Sequence, residues 1–353
     1  MAKPVVETCR SSDLPELFEL FARWYRYNPR MRERDFFDWQ FRDTPHRLDA
    51  GEYDFLLLRG DQGIVGCLGF VGFEFWRDGA IEIGGWTHNW YSEGHANGGL
   101  DLLLAFMQRV DNRFLVRLSE TSQDVARLLR MPLLGAIPRW WAAADADQVV
   151  GLCGLSDDDD RAVVARSAAA FNRARAAPIG HAVDRLDPSD EFWLDDGGRV
   201  NGVRRTGRYL NWRYVDIPAH DYRVIRTDAG LGVYRIETIM GTQASVIRLL
   251  EWTFDATETP GVLSSVMAAA AGSNPILLDF HCTCRIAGTR LAPFGFVPQD
   301  ATRVPMPDLF RPTYRSGGYA VALDLPPHRT TRAVDWDRWY ITIGDSDIDR
   351  VKL

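Results

Sequence analysis

The sequence predicts an α+β protein made of two tandem copies of one domain, each a mixed twisted sheet flanked by helices. The chain has 353 residues, which is enough for two domains of ordinary size. An internal repeat supports this division, because four similar segments recur in the same order in the two halves. One such match could arise by chance, but four in one order indicate a duplicated domain.

The most distinctive repeated segment is an aromatic frame around a tryptophan. Residues 36–45 and 209–218 share the pattern aromatic-x-x-Trp-x-aromatic-x-x-x-Pro, so Trp39 and Trp212 are equivalent. A strand-like run that ends in arginine follows each frame. The other matches are 63–75 with 230–240, 80–87 with 245–253, and 114–121 with 276–283, with similar endings at 134–139 and 294–299.

Each copy predicts the element order strand, helix-rich segment, three-strand meander, helix, strand, helix, strand. In the first copy the opening strand spans about residues 5–9, and residues 12–16 supply a helix cap candidate and an early proline. Apolar residues at helical spacing from Leu17 to Trp24 give the helix that follows one apolar face. The main helix is predicted at about residues 99–110.

The repeat divides the chain into four predicted parts. Four consecutive aspartates at 157–160 mark the start of a linker helix rather than a calcium site. Three large aromatic residues in the C-terminal tail predict that the tail docks on the body of the protein. The parts are an N-terminal domain, 1–145; a linker with a helix, 146–180; a C-terminal domain, 181–330; and a docked tail, 331–353.

The composition excludes several enzyme classes. Only Lys3 and Lys352 are lysines, so the chain lacks the internal lysine of a phosphate-loop NTPase, a protein kinase or a PLP enzyme. The net charge of −7 disfavours nucleic-acid binding. No apolar run approaches the roughly 20 residues of a membrane helix. Five mostly scattered cysteines fit a reducing compartment, so we expect a cytoplasmic protein.

A glycine-rich turn lies between a predicted strand and the main helix of the first copy, and it contains Gly94, Gly98 and Gly99. The first turn of a helix has backbone N–H groups without partners at the positive end of its dipole, which suits a pyrophosphate. Glycines also allow the backbone to approach phosphate oxygens closely. The turn is a candidate phosphate site, and a plain structural turn is an equal alternative.

The order of strand, glycine-rich turn, helix, strand and helix resembles the GCN5-related N-acetyltransferase (GNAT) superfamily over nearly the whole chain. In that family a turn of the form Arg/Gln-x-x-Gly-x-Gly/Ala precedes the helix and holds the pyrophosphate of acyl-CoA. Residues 91–96 and 95–100 each match it in part, and Gly295-Phe296 resembles the usual ending. The resemblance implies cofactor contacts at Trp86, Thr87, Gly94, His95, Ala96, Asn97, Gly98, Gly99 and Leu100.

The resemblance also implies an activity, the transfer of an acyl group from acetyl-CoA or another acyl-CoA to an amine. Family members often carry the general base on the strand before the turn, where this chain has Glu82. Glu120, after the next strand, lies near the same cleft, and Tyr91 is a candidate acid or cofactor contact. The second copy lacks the glycine turn, so we expect it to shape the acceptor site. The expected acceptor is the amine of a nucleotide sugar or of another small metabolite.

Two other interpretations stay open. The donor would be an aminoacyl-tRNA if the arginines at 204–213 formed a basic groove. Alternatively, both copies are degenerate and bind a ligand without catalysis. A metal site is not expected, since the adjacent His281 and Cys282 would point to opposite faces of a strand. The sequence leaves a homodimer open.

Overall fold

The computed structural model is an α+β protein with two large mixed sheets, as the sequence predicts. It describes residues 3–24, 29–93, 97–175, 179–194, 200–218, 221–228, 230–239, 241–254, 260–306, 320–325 and 334–345. The helices are α1 (Leu14–Trp24), α2 (Arg34–Phe41), α3 (Gly98–Met107), α4 (Glu120–Leu128), α5 (Ala146–Cys153), α6 (Asp158–Ala174), α7 (Gly207–Leu210), α8 (Pro260–Ala269) and α9 (Arg285–Leu291). None of these helices is long and apolar enough to cross a membrane, as far as the described ranges go.

The strands follow the meander order that the repeat predicts. They are β1 (Val5–Thr8), β2 (Phe55–Gly60), β3 (Gly63–Arg77), β4 (Ala80–Ser92), β5 (Asn112–Val116), β6 (Leu133–Leu134), β7 (Arg139–Ala143), β8 (His181–Val183), β9 (Glu191–Phe192), β10 (Asn201–Val203), β11 (Arg205–Thr206), β12 (Arg223–Arg226), β13 (Gly230–Thr238), β14 (Ser245–Phe254), β15 (Pro275–His281), β16 (Val297–Pro298), β17 (Val321–Asp324) and β18 (Trp339–Tyr340). A short π-helix, Asn211–Val215, follows α7.

The two large sheets have the same topology. The first runs β1-β2-β3-β4-β5-β17-β6, and the second runs β8-β12-β13-β14-β15-β7-β16. In each path the fourth and fifth strands are parallel. The other neighbouring pairs in both paths are antiparallel. The agreement holds strand by strand, as expected for two copies of one domain.

Each half gives one strand to the other. β7 stands at the end of the first half, 1–145, but it lies in the second sheet between β15 and β16. β17 stands at the end of the second half, 181–330, but it lies in the first sheet between β5 and β6. Because both strands have hydrogen-bonded neighbours on two sides, each sheet depends on a strand of the other half for its continuity.

The ends of β5 and α4 differ from the prediction. The sequence predicts a strand over 114–121, but β5 ends at Val116 and α4 begins at Glu120. The hydroxyl of Ser119 accepts a hydrogen bond from the backbone N–H of Ser122 at 3.2 Å. This N-cap satisfies a donor of the first helical turn and starts the helix four residues after the strand ends.

The described part of the C-terminal tail, 334–345, lies between the two sheets. β18 pairs with β10, which pairs in turn with β3 at an edge of the first sheet. On the side of the second sheet, the backbone N–H of Thr283 donates to the carbonyl oxygen of Ile341 at 3.0 Å. The tail is therefore hydrogen-bonded to β10, which extends the first sheet, and to the residues that follow β15 of the second sheet.

Two equivalent tryptophans join the halves. The rings of Trp39 and Trp212 stack with centroids 5.2 Å apart and an interplanar angle of 21°. Trp39 Nε1 donates to the carbonyl oxygen of Trp212 at 2.8 Å, and Trp212 Nε1 donates to that of Trp39 at 3.0 Å. Both rings belong to a hydrophobic cluster that contains residues of both halves. The reciprocal bonds show a local two-fold pseudosymmetry between the repeated frames.

This contact predicts the stability of tryptophan variants. We expect Trp39→Ala and Trp212→Ala each to lower the free energy of unfolding by about 3–5 kcal/mol, as for other buried large side chains. The double variant should lose less than the sum, because both substitutions remove one shared contact. Leu128→Ala, at a side chain that is 76% exposed, is the control and should cost less than about 0.5 kcal/mol. Urea denaturation measures all four variants, and fully additive losses would contradict the shared contact.

Candidate active site

β4 and β5 run side by side only over a short length. Gly84, Gly85 and Trp86 pair with residues 112–114. β4 then continues to Ser92, and no further pairing with β5 occurs in the described chain. The pairing of the two parallel strands therefore ends at Trp86, and the region between them beyond this residue is called here the first opening.

A β-bulge changes the path of β4 inside the first opening. The register of β4 against β3 shifts between His88 and Tyr91, so that one residue of β3 opposes both Asn89 and Trp90. Asn89 has a left-handed backbone with φ of 50°, which asparagine tolerates better than most residues. The bulge re-aims the side chains that follow it. Trp90 packs in the cluster beside α3, whereas Tyr91 packs against the cluster that contains α1 and α2 residues.

The start of α3 lies against the end of β4. Trp90 Nε1 donates to the carbonyl oxygen of Gly99 at 2.9 Å. A Cβ atom at Gly99 would stand 3.3 Å from Ser92 Oγ, so glycine allows this close approach. Asn97 occupies the N-cap position, but its side chain makes no capping hydrogen bond. The first turn of this ten-residue helix can therefore direct backbone N–H groups at an anion.

The predicted cofactor residues fall in three places. Trp86 and Thr87 lie on β4 where the first opening begins, and both are buried. Trp86 is 1% exposed and stacks on Phe73 with ring centroids 5.0 Å apart, so its ring is part of the core. Asn97, Gly98, Gly99 and Leu100 form the start of α3, and Gly94, His95 and Ala96 lie outside the described residues.

The three predicted catalytic residues lie apart. Arg77 donates hydrogen bonds to both carboxylate oxygens of Glu82, at 3.1 and 3.0 Å, and this ion pair is buried. At the rise of an extended strand, Glu82 is about 30 Å along β4 from Tyr91. Glu120 is the exposed first residue of α4. Tyr91 borders the bulge and the start of the glycine turn.

A cluster of Trp24, Tyr91 and Glu93 stands at the end of β4. The rings of Trp24 and Tyr91 lie 4.5 Å apart. One Glu93 oxygen accepts hydrogen bonds from Trp24 Nε1 at 2.7 Å and from the Tyr91 hydroxyl at 3.3 Å. The guanidinium of Arg23 lies 3.6 Å from the other oxygen. Burial, together with the Glu93 charge, raises the pKa of Tyr91 well above its usual value, so the hydroxyl keeps its proton at neutral pH.

Trp24 and Glu93 do not stand out in the sequence as candidate site residues. The spacing of Trp24 places it on the apolar face of α1, but half of its surface is exposed. Its hydrogen bond to Glu93 joins residues 69 positions apart. Neither helical spacing nor strand alternation reports such a contact, because it depends on how α1 crosses the sheet.

The C-terminal tail closes the equivalent opening in the second sheet, called here the second opening. β14 and β15 pair from Ser245 to Leu249 and then separate. The Tyr340 hydroxyl accepts from the backbone N–H of Trp252 at 3.0 Å and donates to its carbonyl oxygen at 2.9 Å. All ten residues of β14 are buried, whereas residues 89–92 at the end of β4 are partly exposed. The two openings therefore differ in what fills them.

The histidine and cysteines near the end of β15 lie in the core. His281 Nε2 is 3.6 Å from a carboxylate oxygen of Asp279, and the Cys282 thiol donates to the carbonyl oxygen of Cys284 at 3.6 Å. Burial raises the pKa of the Cys282 thiol well above its usual value. Within the described ranges, no group of three His, Cys, Asp or Glu residues is placed to hold a metal ion.

Comparison with known proteins supports the fold through a similar solved structure, whereas the sequence comparisons found no match. No protein-family model and no curated protein sequence matches this chain. A probable N-acyltransferase from Enterococcus faecalis V583, a conserved protein of unknown function, has a TM-score of 0.52 and 12% identity over 91% of this chain and 72% of its own. The chain has a GNAT-like fold. The fold that the sequence resemblance implied is thereby confirmed.

Two other solved structures are similar to this chain in their fold. A GCN5-related N-acetyltransferase from Anabaena variabilis has a TM-score of 0.48 and 10% identity, over 79% of this chain and 66% of its own. Saccharomyces cerevisiae N-myristoyltransferase with bound myristoyl-CoA also has a TM-score of 0.48 and 10% identity, over 96% of this chain and 84% of its own.

The hydrogen bonds of Tyr340 predict how firmly the tail holds the second opening. Tyr340→Phe leaves the buried N–H and carbonyl groups of Trp252 without this partner, and we expect it to lower the free energy of unfolding by about 1–3 kcal/mol. Differential scanning fluorimetry and urea denaturation measure the loss. Tyr91→Phe, which removes a half-buried hydroxyl from the first opening, is the control and should cost less. Equal stability of Tyr340→Phe and the unmodified chain would contradict the proposed closure.

Proposed function

We propose that the protein is an acyl-CoA-dependent N-acyltransferase whose acceptor is the amine of a nucleotide sugar or of another small metabolite. One observation carries this proposal. The first opening combines a splayed pair of parallel strands, a bulge and an uncapped helix start, while the C-terminal tail fills the second opening. The splayed strands would hold the pantetheine arm of an acyl-CoA, the bulge would contact its thioester, and the helix start would bind its pyrophosphate.

The residues at the first opening fit an acyl-CoA. The first turn of α3, from Asn97 to Leu100, offers backbone N–H groups and the positive end of a helix dipole to the pyrophosphate. We propose that Gly94, His95 and Ala96 complete this cradle. Trp86 and Thr87 form the closed end of the opening, where a buried surface would limit how far the ligand enters.

The bound acyl-CoA supplies a thioester, which the acceptor amine attacks with release of the CoA thiol. Backbone N–H groups of Asn89 and Trp90 at the bulge have no β5 partner, and we propose that they polarise the thioester carbonyl. Holding amine and thioester together lowers the barrier, by up to about 7–11 kcal/mol in well-oriented systems.

We propose that Glu93 and Tyr91 handle the protons. The Glu93 carboxylate takes a proton from the acceptor amine, and the protonated Tyr91 hydroxyl donates one to the leaving sulfur. Because the Tyr91 hydroxyl donates to Glu93 at 3.3 Å, the proton that Glu93 gains can restore Tyr91. Glu82 is held by Arg77, which supports a structural role for it. Glu120 remains a candidate for contact with the acceptor at the exposed start of α4.

We also propose a division of labour between the halves, with residues 1–145 binding acyl-CoA and residues 181–330 shaping the acceptor site. A groove of about 470 Å³ runs along the contact between the repeated frames, and it is lined by Trp39 and Trp212 among others. Two residues beyond Trp39, the Phe41 ring lies 6.2 Å from the His88 ring on β4. We propose that an acceptor in this groove reaches the first opening from this side of β4.

The cradle is tested by a substitution that helps the helix and harms phosphate binding. Asn97→Asp places a carboxylate at the N-cap, where it favours helix α3 and repels a pyrophosphate. We expect calorimetry to show one acetyl-CoA bound per chain, with at least tenfold weaker binding in Asn97→Asp and a thermal stability at least equal to that of the unmodified chain. Asn97→Ser keeps a capping side chain without charge and is the matched control.

If Asn97→Asp and Asn97→Ser bind acetyl-CoA and longer acyl-CoAs equally well, the pyrophosphate is not at α3. If the unmodified chain binds none of them, the acyl-CoA proposal is wrong.

The proton-handling residues predict a loss of rate without a loss of cofactor binding. We expect Tyr91→Phe and Glu93→Gln to lower the rate of CoA release with a panel of primary amines by about 10²–10⁴-fold, with acetyl-CoA affinity within threefold of the unmodified chain. Trp24→Phe keeps the aromatic ring but removes the hydrogen bond to Glu93, and it should slow the reaction less than tenfold. A rate in Glu93→Gln equal to that of the unmodified chain would remove Glu93 from the mechanism.

A further inference from the structure

The tail closes the second opening through a buried charge cluster. Arg205 on β11 donates from Nε to a carboxylate oxygen of Glu251 on β14 at 3.1 Å. The same guanidinium donates from Nη2 to Asp345 of the tail at 2.6 Å. All three side chains are at most 3% exposed. One buried cation is thus shared by a carboxylate of the sheet and a carboxylate of the tail.

The cluster around Glu251 also contains a tyrosine hydroxyl and a second buried guanidinium, that of Arg213. The Tyr214 hydroxyl donates to Glu251 at 2.8 Å from the π-helix. Arg213, in the same helix, donates to the carbonyl oxygen of Gly344 in the tail at 2.8 Å. The remaining titratable neighbours are neutral, because burial raises the pKa of each well above its usual value. They are Tyr209 on α7, Tyr214 on the π-helix, Tyr340 on the tail and Cys282 after β15.

The carboxylate of the tail is incompletely satisfied. Asp345 Oδ2 accepts from Arg205 and from the backbone N–H of Thr342 at 2.8 Å. Its Oδ1 is buried and accepts no hydrogen bond from any described residue. Glu251 and Asp345 share the guanidinium of Arg205 at a buried site. Burial and the nearby Asp345 charge therefore disfavour the ionised form of Glu251.

We propose that residues 334–345 act as a proton-linked latch on the second opening. The latch is closed when Glu251 holds a proton, and it loosens when that proton is lost. Loosening would uncover β14 beyond Leu249, because Tyr340 is the residue that occupies the backbone groups of Trp252. This proposal does not depend on the acyltransferase activity.

The direction of the pH dependence follows from the buried carboxyl group. Burial, and then the Asp345 charge, raise the pKa of Glu251 to about 7 against the attraction of Arg205. With the tail released, Glu251 would titrate near its ordinary value of 4.5. Docking therefore takes up a proton between these values. It is strongest below that window, weakens by up to about tenfold per pH unit within it, and is constant above it.

Hydrogen–deuterium exchange of the tail amides in the full chain tests the latch. We would measure exchange between pH 5 and 8 in the unmodified chain, in Glu251→Gln and in Glu237→Gln. Because a glutamine amide resembles the protonated carboxyl group, Glu251→Gln should stay latched throughout. Glu237 pairs with Arg235 and Arg248 on the same sheet, away from the tail, and its variant is the matched control. The ratio of rates in identical buffers cancels the intrinsic pH dependence of exchange.

We expect the tail of the unmodified chain and of Glu237→Gln to open more than that of Glu251→Gln, with a ratio that rises about tenfold per pH unit between pH 5.5 and 6.5. A ratio that stays constant from pH 5 to 8 would overturn the proposal. If Glu251→Gln does not fold, Asp345→Asn serves instead, because it leaves Arg205 to a single carboxylate. That variant should also lose the pH dependence, and retaining it would equally overturn the latch.

Discussion

The reciprocal contact of Trp39 and Trp212 constrains the arrangement of the rest of the molecule. Each repeated frame gives its tryptophan to the other, with a stacked ring and an N–H bond in both directions. Such a contact requires the two halves to meet about a local two-fold axis. β7 and β17 then cross between the halves and complete each other's sheets. Stability of one half therefore depends on the other, and the two are expected to unfold together.

The pseudosymmetry gives the molecule two equivalent openings, but the chain has only one C-terminus. The tail can fill one opening, and it fills the second, where Tyr340 takes the place of a strand partner for Trp252. The first opening keeps a partly exposed strand end, a bulge and an uncapped helix start. Because the tail breaks the symmetry, the opening of one half stays free to bind a ligand, whereas the tail fills the opening of the other half. This asymmetry is the physical basis for our proposal that acyl-CoA binds the first half.

The fold could be predicted from the sequence because strands, helices and the internal repeat each leave a periodic pattern of residues. Repeated aromatic frames, strand alternation and helix spacing predict two similar α+β halves, and the structure has them. The exchange of strands between the halves could not be predicted, because the alternation of residues in β7 would be the same in either sheet. The candidate site was predicted in part. The helix start at Gly98 follows from the glycine turn, but Arg77 neutralises Glu82, and the Trp24 contact to Glu93 arises only from packing. Contacts between side chains that are far apart in the chain leave no local pattern in the sequence.

We propose that acyl-CoA enters the first opening and not the second. Hydrogen–deuterium exchange with and without acetyl-CoA tests this directly on the full chain. We expect added acetyl-CoA to slow the exchange of amides in residues 89–100 and to leave that of residues 250–262 unchanged. Protection confined to residues 250–262, or equal protection of both segments, would contradict the claim that only the first opening binds the cofactor.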